Sequence, residues 1–339
     1  VTSPEIGSLF GACIARALDR YWRELGAPDP FVVIEAGAGN GRLARDVLRA
    51  GPSCATALHY VLVERSTALR ERQRERLELE PADEALGPFA RAATDELVPV
   101  GGTGPVFVAI DRLPALEVTG VVLANEFLDN LPFGVAESSR DGWLEVRIAL
   151  ARTGEFIEVL VPAEPDDARA LDAVTAAITV ADGARLPIPR GIDTWFEACA
   201  RMVVHGTLVA IDYLDDAEAL VHRATDGAPA WLRTYRAHQR GGSPLDEPGA
   251  CDITAEVVRE QLQHAARTYG FTLVSDRSQA EWLDDLDIGG LVEAGRRTWQ
   301  ERAHLGDLEA LTGRSHVVEA RALTDPSGLG AHRVVTLTR

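Results

Sequence analysis

A chain of 339 residues, 46% of them apolar, is long enough for one large α/β domain or a core domain with a substantial insertion. Its formal charge is -18 and all 34 basic residues are Arg, which excludes lysine Schiff-base and lysine-nucleophile chemistry and argues against a broad nucleic-acid surface. Cys13, Cys54, Cys199 and Cys251 are scattered, with no CxxC or HxxxH. That spacing argues against a metal site or a disulfide framework and suits a reducing cytoplasm. No apolar run reaches membrane-span length and no signal-peptide pattern opens the sequence.

Thr2-Ser3-Pro4-Glu5 reads as a helix start, a hydroxyl cap with Pro and an acid in the first turn, and the apolar spacing carries the helix to about Leu25. Phe31–Leu43, FVVIEAGAGNGRL, then passes from a β-branched strand through Gly37, Gly39 and Gly41 into a helix that ends near Ala50. Strand, glycine turn and helix start form a cofactor site in doubly wound α/β folds, or a tight turn with no ligand. The dinucleotide fingerprint needs a sixth-position glycine, where this chain has Arg42. The pattern present is acid-x-Gly-x-Gly-x-Gly, led by Glu35. An acid there suits a ligand with a cationic amine, such as S-adenosyl-L-methionine (SAM).

Tyr60–Val63 is the second strand, and Glu64 at its end takes the place of a ribose-diol acceptor or of an ordinary exposed acid. Ser66 caps a charged helix over Thr67–Glu80, read as a solvated face. Val106–Ile110 is the third strand and ends at Asp111. Val121–Ala124 is the fourth and runs into Asn125-Glu126-Phe127-Leu128-Asp129-Asn130. Asn125 and Asp129 there are turn formers or, with Glu126, chemistry at the carboxyl edge of the sheet. Phe133–Pro162 alternates as a small β insertion, followed by helices at Asp166–Val180 and Thr194–His205 around an extended Ala184–Pro189. Gly206–Asp212 is the fifth core strand, with Tyr213 at its edge. Ala228–Gly249 reads as a long loop and Asp252-Ile253-Thr254 as a helix start. A sixth strand at Phe271–Ser275, a helical stretch over Ser278–Leu323 and a last strand at Val334–Thr338 complete seven core strands. The parts are 1–132, a Rossmann-like cofactor core; 133–190, a β-rich insertion for substrate; and 191–339, the rest of the core with an active-site loop at 228–251.

Taken in order, TSPEIGSLFG, EAGAGNGRL, LVERS, LANEFLDNLP, IDY, WLRTYRAHQ and SPLDEPGACDIT resemble the MidA/NDUFAF7 family of SAM-dependent methyltransferases, from Thr2 to about Leu283. The resemblance implies a class I, Rossmann-like, seven-stranded methyltransferase core with SAM as cofactor and S-adenosyl-L-homocysteine (SAH) as product. Its mitochondrial branch implies methylation of a protein arginine to symmetric dimethylarginine in a respiratory complex I subunit. The family often follows the IDY strand with Gly, where this chain has Leu214.

On this reading Gly37, Gly39 and Gly41 admit the cofactor, Glu35 holds its methionine moiety and Glu64 its ribose, and Arg65 is a further cofactor-binding residue. Asp111 and Arg112 stand at the adenine, and Asn125 faces the sulfonium. Glu126 and Asp129 orient a guanidinium and take its proton, with His238 as a further acceptor, and Tyr213 and Tyr235 contact substrate. No metal is expected. The expected partner is an arginine-containing protein or peptide, with a small molecule as the alternative acceptor; nucleic acid and membrane are not expected, and a homodimer is allowed. A third reading is a SAM-binding assembly factor without catalysis.

Overall fold

The computed structural model describes residues 2–86, 102–223, 231–236, 239–246 and 248–339. These divide into two compact units: residues 2–126, 198–211 and 270–339 in the first, and residues 127–197 and 212–269 in the second. The second is thus larger than the 133–190 insertion read from sequence.

The first unit is built on a seven-stranded sheet. Its strands are β1 (Phe31–Ala36), β2 (Leu58–Val63), β3 (Val106–Ile110), β4 (Val118–Asn125), β5 (Val203–Asp212), β6 (Thr272–Ser278) and β7 (Arg333–Thr338), in the order β6-β7-β5-β4-β1-β2-β3. β1 to β5 pair in parallel, and β6 pairs antiparallel to β7. Every residue of β1 and β2 is buried, as their unbroken apolar runs require of strands covered on both faces. The strand order reverses between β1 and β4, so a ligand crevice belongs at the carboxyl ends of these two strands.

The first helix is not continuous. Ser3–Ile6 is a short helix with a Thr2–Glu5 capping box, and Ser8–Glu24 is a second. The break falls at Gly7, where a Cβ would lie 2.0 Å from the Glu319 carboxyl carbon. Glu319 is buried and accepts the Leu9 N–H at 2.9 Å, so a side chain from the far end of the chain caps the second helix. The stretch read as Ser278–Leu323 is three helices, Gln279–Asp285, Ile288–Arg302 and Leu308–Leu323. Asp287 adopts a left-handed φ of 58° and caps the second of these by accepting the Gly290 N–H.

The second unit contains a four-stranded antiparallel sheet of Gly134–Ser139, Gly142–Leu150, Phe156–Pro162 and Arg185–Ile188. The segment read as a loop supplies a second sheet, in which Leu232–Arg236 pairs with Asp252–Ala255 and with Gln239–Arg240. Asp252-Ile253-Thr254 is therefore strand, and the helix begins only at Arg259. The β-branched Ile253 and Thr254 fit a pleated strand better than a first helical turn. Trp231 is fully buried in this unit's core, and its indole N–H donates to the Arg185 carbonyl at 2.9 Å.

β4 carries the motif residues, and its middle is held by close backbone approach. Val32, Gly120 and Gly206 are register partners across three strands, and a Cβ on Gly120 would meet the Val32 carbonyl oxygen at 1.9 Å. Gly120→Ala is expected to cost about 2–3 kcal/mol of unfolding free energy, as overpacking against backbone does. Urea unfolding measures it, and a loss below about 1 kcal/mol contradicts the close approach.

Candidate active site

The glycine turn is held from both sides. Gly37, Gly39 and Gly41 have φ of 69°, 53° and 75°, a left-handed run that side chains with a Cβ rarely adopt. The Ala38 N–H donates to the Val63 carbonyl, and the Gly39 N–H donates to Glu64 Oε2, both at 3.0 Å. The Gly39 carbonyl accepts from Gln73 Nε2 at 2.7 Å. A Cβ on Gly39 would meet nothing within 4 Å, so the outer face of the turn is open space. Gly41 opens onto the Arg42–Arg49 helix.

Glu64 uses one oxygen for the Gly39 N–H and the other for the Ser66 N–H at 2.8 Å. Each oxygen keeps a lone pair, so the ribose role read from sequence is compatible with a second one, shaping the turn. Arg65 beside it is exposed. Glu35 is buried and accepts the Tyr60 hydroxyl at 2.9 Å. Burial pushes its carboxyl up to about 8, the Tyr60 hydrogen bond pulls it back, and the Glu64 charge adds to the rise. A cationic amine beside Glu35 would restore its ionised form. Asp111 and Arg112 at the end of β3 pair with each other, Nε to Oδ1 at 2.9 Å, with both side chains largely in solvent. The Arg112 hydrogen bond holds the Asp111 carboxyl below its usual range.

Asn125 closes β4, and its Oδ1 is buried with no hydrogen-bond partner among the described residues. Glu126 follows with a left-handed φ of 48°, unusual for a residue with a side chain. Its N–H donates to the Ile211 carbonyl at 2.7 Å, and its carboxylate accepts the Ser3 N–H at 2.8 Å. Glu126 ties the first turn of the chain to the end of β4.

Asp129, Tyr213 and Tyr235 belong to the second unit. Asp129 lies in the turn Leu128–Asn130 and accepts the Asn130 amide at 2.6 Å. Tyr213 is 39% exposed, and Tyr235 lies on the Leu232–Arg236 strand opposite Asp252 and Arg240. His238 lies outside the described residues. Sequence reasoning missed Asp212. Its fully buried carboxylate accepts the N–H groups of Phe127, Leu128 and Asp129 at 3.0, 2.7 and 3.4 Å, and that of Tyr213 at 2.9 Å. Burial pushes it up to about 6, and the four backbone donors pull it back. The signal was an acid closing the apolar run GTLVAI.

The family model of S-adenosyl-L-methionine-dependent methyltransferases matches residues 13–275. The chain belongs to this family. It is 28% identical to a Drosophila melanogaster protein named as a mitochondrial protein arginine methyltransferase, NDUFAF7 homolog, over 97% of this chain and 72% of that protein. It is 26% identical to the Xenopus laevis NDUFAF7, over 80% of this chain and 61% of the other. A crystal structure of a Burkholderia thailandensis COG1565 superfamily member bound to S-adenosyl-homocysteine superposes with a TM-score of 0.76 at 26% identity, covering 100% of this chain and 78% of that one.

The enzyme is a SAM-dependent methyltransferase of class I fold, and its own residues fit the cofactor. The open face of Gly39, the Glu64 and Glu35 carboxylates and the partnerless Asn125 oxygen lie at the ends of β1, β2 and β4. When bound, SAM supplies a methyl group activated on a sulfonium.

Two outcomes follow. SAM and SAH raise the melting temperature and NAD does not, because a ligand that binds only the native state stabilises it; stabilisation by NAD alone contradicts the site. Glu35 keeps its proton in the folded state up to about pH 8 but loses it near 4.5 when unfolded, so the folded state binds more protons in that window. Stability from this group therefore falls as pH rises. Above pH 7 Asp212, at about 6, and His332, lowered by burial to about 4, are mostly deprotonated, and the Cys13, Cys54 and Cys199 thiols, all pushed up by burial, add a decline that a change at Glu35 leaves in place. Glu35→Gln should flatten the decline of ligand-free stability between about pH 7 and 8.5. An unchanged slope in denaturant melts contradicts a buried, protonated Glu35.

Proposed function

We propose that the enzyme transfers the methyl group to an arginine guanidinium of a protein or peptide. Two things support this reading: relatives named as protein arginine methyltransferases, and the acidic segment after β4. The observation that carries it is Glu126, a strained residue pinned by the sheet at the switch point of the strand order. Strain of this kind costs about 1–3 kcal/mol and persists where the surroundings fix the backbone.

A guanidinium is a poor nucleophile at pH 7. With a pKa above ~12, only about one in 10⁵ is neutral, a penalty of roughly 7 kcal/mol. Carboxylates lower that penalty by holding the cation, localising its charge and accepting the proton as the nitrogen–carbon bond forms and the carbon–sulfur bond breaks. Glu126 is assigned as that group. Placing the nitrogen in line with the methyl does the rest. The exposed hairpin of Gly142–Leu150 and Phe156–Pro162, with Ile148, Leu150, Phe156 and Leu160 in solvent, offers an apolar face to a protein acceptor. A cytoplasmic location accompanies this reading; four free cysteines suit a reducing compartment, while the curated relatives are named mitochondrial.

Glu126→Gln keeps an oxygen for the Ser3 N–H and removes the charge. We expect kcat/KM for methyl transfer into protein to fall about 10²-fold or more, with SAH affinity nearly unchanged. Near-normal turnover with intact SAH binding removes the cation clamp and favours a neutral small-molecule acceptor. Deleting the 139–141 tip of the insertion should raise the acceptor KM and leave SAH affinity intact; equal loss of SAH binding places that tip in the cofactor core.

A further inference from the structure

The helix after β2, Thr67–Arg74, has the sequence TALRERQR; Glu71, Arg72 and Arg74 are exposed, and Arg70 donates to the Glu64 and Arg65 carbonyls. Gln73 is 0% exposed. Its Nε2 donates to the Gly39 carbonyl at 2.7 Å, and its Cγ lies 3.1 Å from where a Cβ on Gly41 would stand. Gly39 therefore has both backbone polar groups held by side chains, the N–H by Glu64 and the carbonyl by Gln73. Both gripping residues come from the chain just after β2, so one segment holds the two peptides that flank the Gly39 Cα.

The grip comes at a cost. The Oε1 atom of Gln73 is buried and has no partner among the described residues. A buried amide carbonyl left unpaired is destabilising, and an apolar side chain of the same length would avoid it. What the amide supplies in return is a donor to the one turn whose glycines leave it free to sample many conformations. A left-handed turn fixed before the ligand arrives need not be ordered by it, and that raises affinity.

We propose that Gln73 is a positioning residue for cofactor binding: its carboxamide holds the Gly39–Asn40 peptide in the geometry that receives SAM. The proposal rests on SAM as the cofactor. Glu64 alone holds the Ala38–Gly39 peptide and leaves the Gly39–Asn40 peptide free to rotate, whereas Glu64 and Gln73 together fix the peptide planes on both sides of the Gly39 Cα. A Cβ on Gly41 would crowd the Gln73 Cγ at 3.1 Å, which links the third glycine to the same device.

Calorimetric titration of SAH into the wild type and Gln73→Met tests it. Met fills the same space without a donor. The expected result is a melting temperature of the ligand-free protein close to wild type and an SAH Kd raised about fivefold or more, the scale of one hydrogen bond. A folded Gln73→Met whose Kd rises less than fivefold overturns the proposal. Should that variant fail to fold, Gln73→Glu decides. The carboxyl group it introduces can donate to the Gly39 carbonyl when protonated and cannot when ionised, so the ratio of variant to wild-type Kd must climb with pH; a flat ratio overturns the proposal. A wild type that binds no SAH refutes the cofactor instead, so the two failures are distinguishable.

Discussion

The site depends on one backbone constraint. Between β1 and its following helix the chain must pass three left-handed residues, at Gly37, Gly39 and Gly41. Glycine allows that path but does not choose it, because it allows most others equally. The choice is made by hydrogen bonds from outside the turn: the Val63 carbonyl takes the Ala38 N–H, Glu64 the Gly39 N–H, and Gln73 gives to the Gly39 carbonyl. All three come from β2, the residue after it and the helix that follows. The neighbouring parallel strand is thus what turns a flexible glycine stretch into a preformed cradle.

A similar device recurs at the end of β5. Asp212 takes four backbone N–H groups, three of them from the segment that follows Glu126. A lone carboxylate buried this deeply would be costly, and the four donors are what make it tolerable. Glu319 does likewise for the Ser8–Glu24 helix. In a chain of charge -18, acids thus do much of the structural work by accepting backbone N–H groups, while others remain available for a cationic acceptor.

Much of this was legible in sequence because it depends on local chemistry. The glycine spacing, the acid two residues earlier and the unbroken apolar runs of β1, β3 and β4 name a doubly wound cofactor fold without further help. Most differences from the sequence reading come from contacts between residues far apart in the chain. Gly7 breaks the first helix because Glu319, more than 300 positions away, fills the space of its missing side chain. Leu232–Arg236 is a strand because Asp252–Ala255 pairs with it, and its flanking Arg, His and Gly residues disguised that. Gln73 sits in a run of charges and looks solvated, yet faces inward at one helical position. Asp212 was visible as the end of a strand, but nothing local shows that four N–H groups converge on it.

The central claim is that the methyl group ends on a protein arginine. Incubating the purified enzyme with methyl-labelled SAM and a cell lysate, then separating protein from small molecules and hydrolysing the protein fraction, tests it most directly. The account predicts label in the protein fraction, recovered after hydrolysis as methylarginine and absent with Glu126→Gln. Label confined to small molecules, or protein label recovered on residues other than arginine, contradicts it.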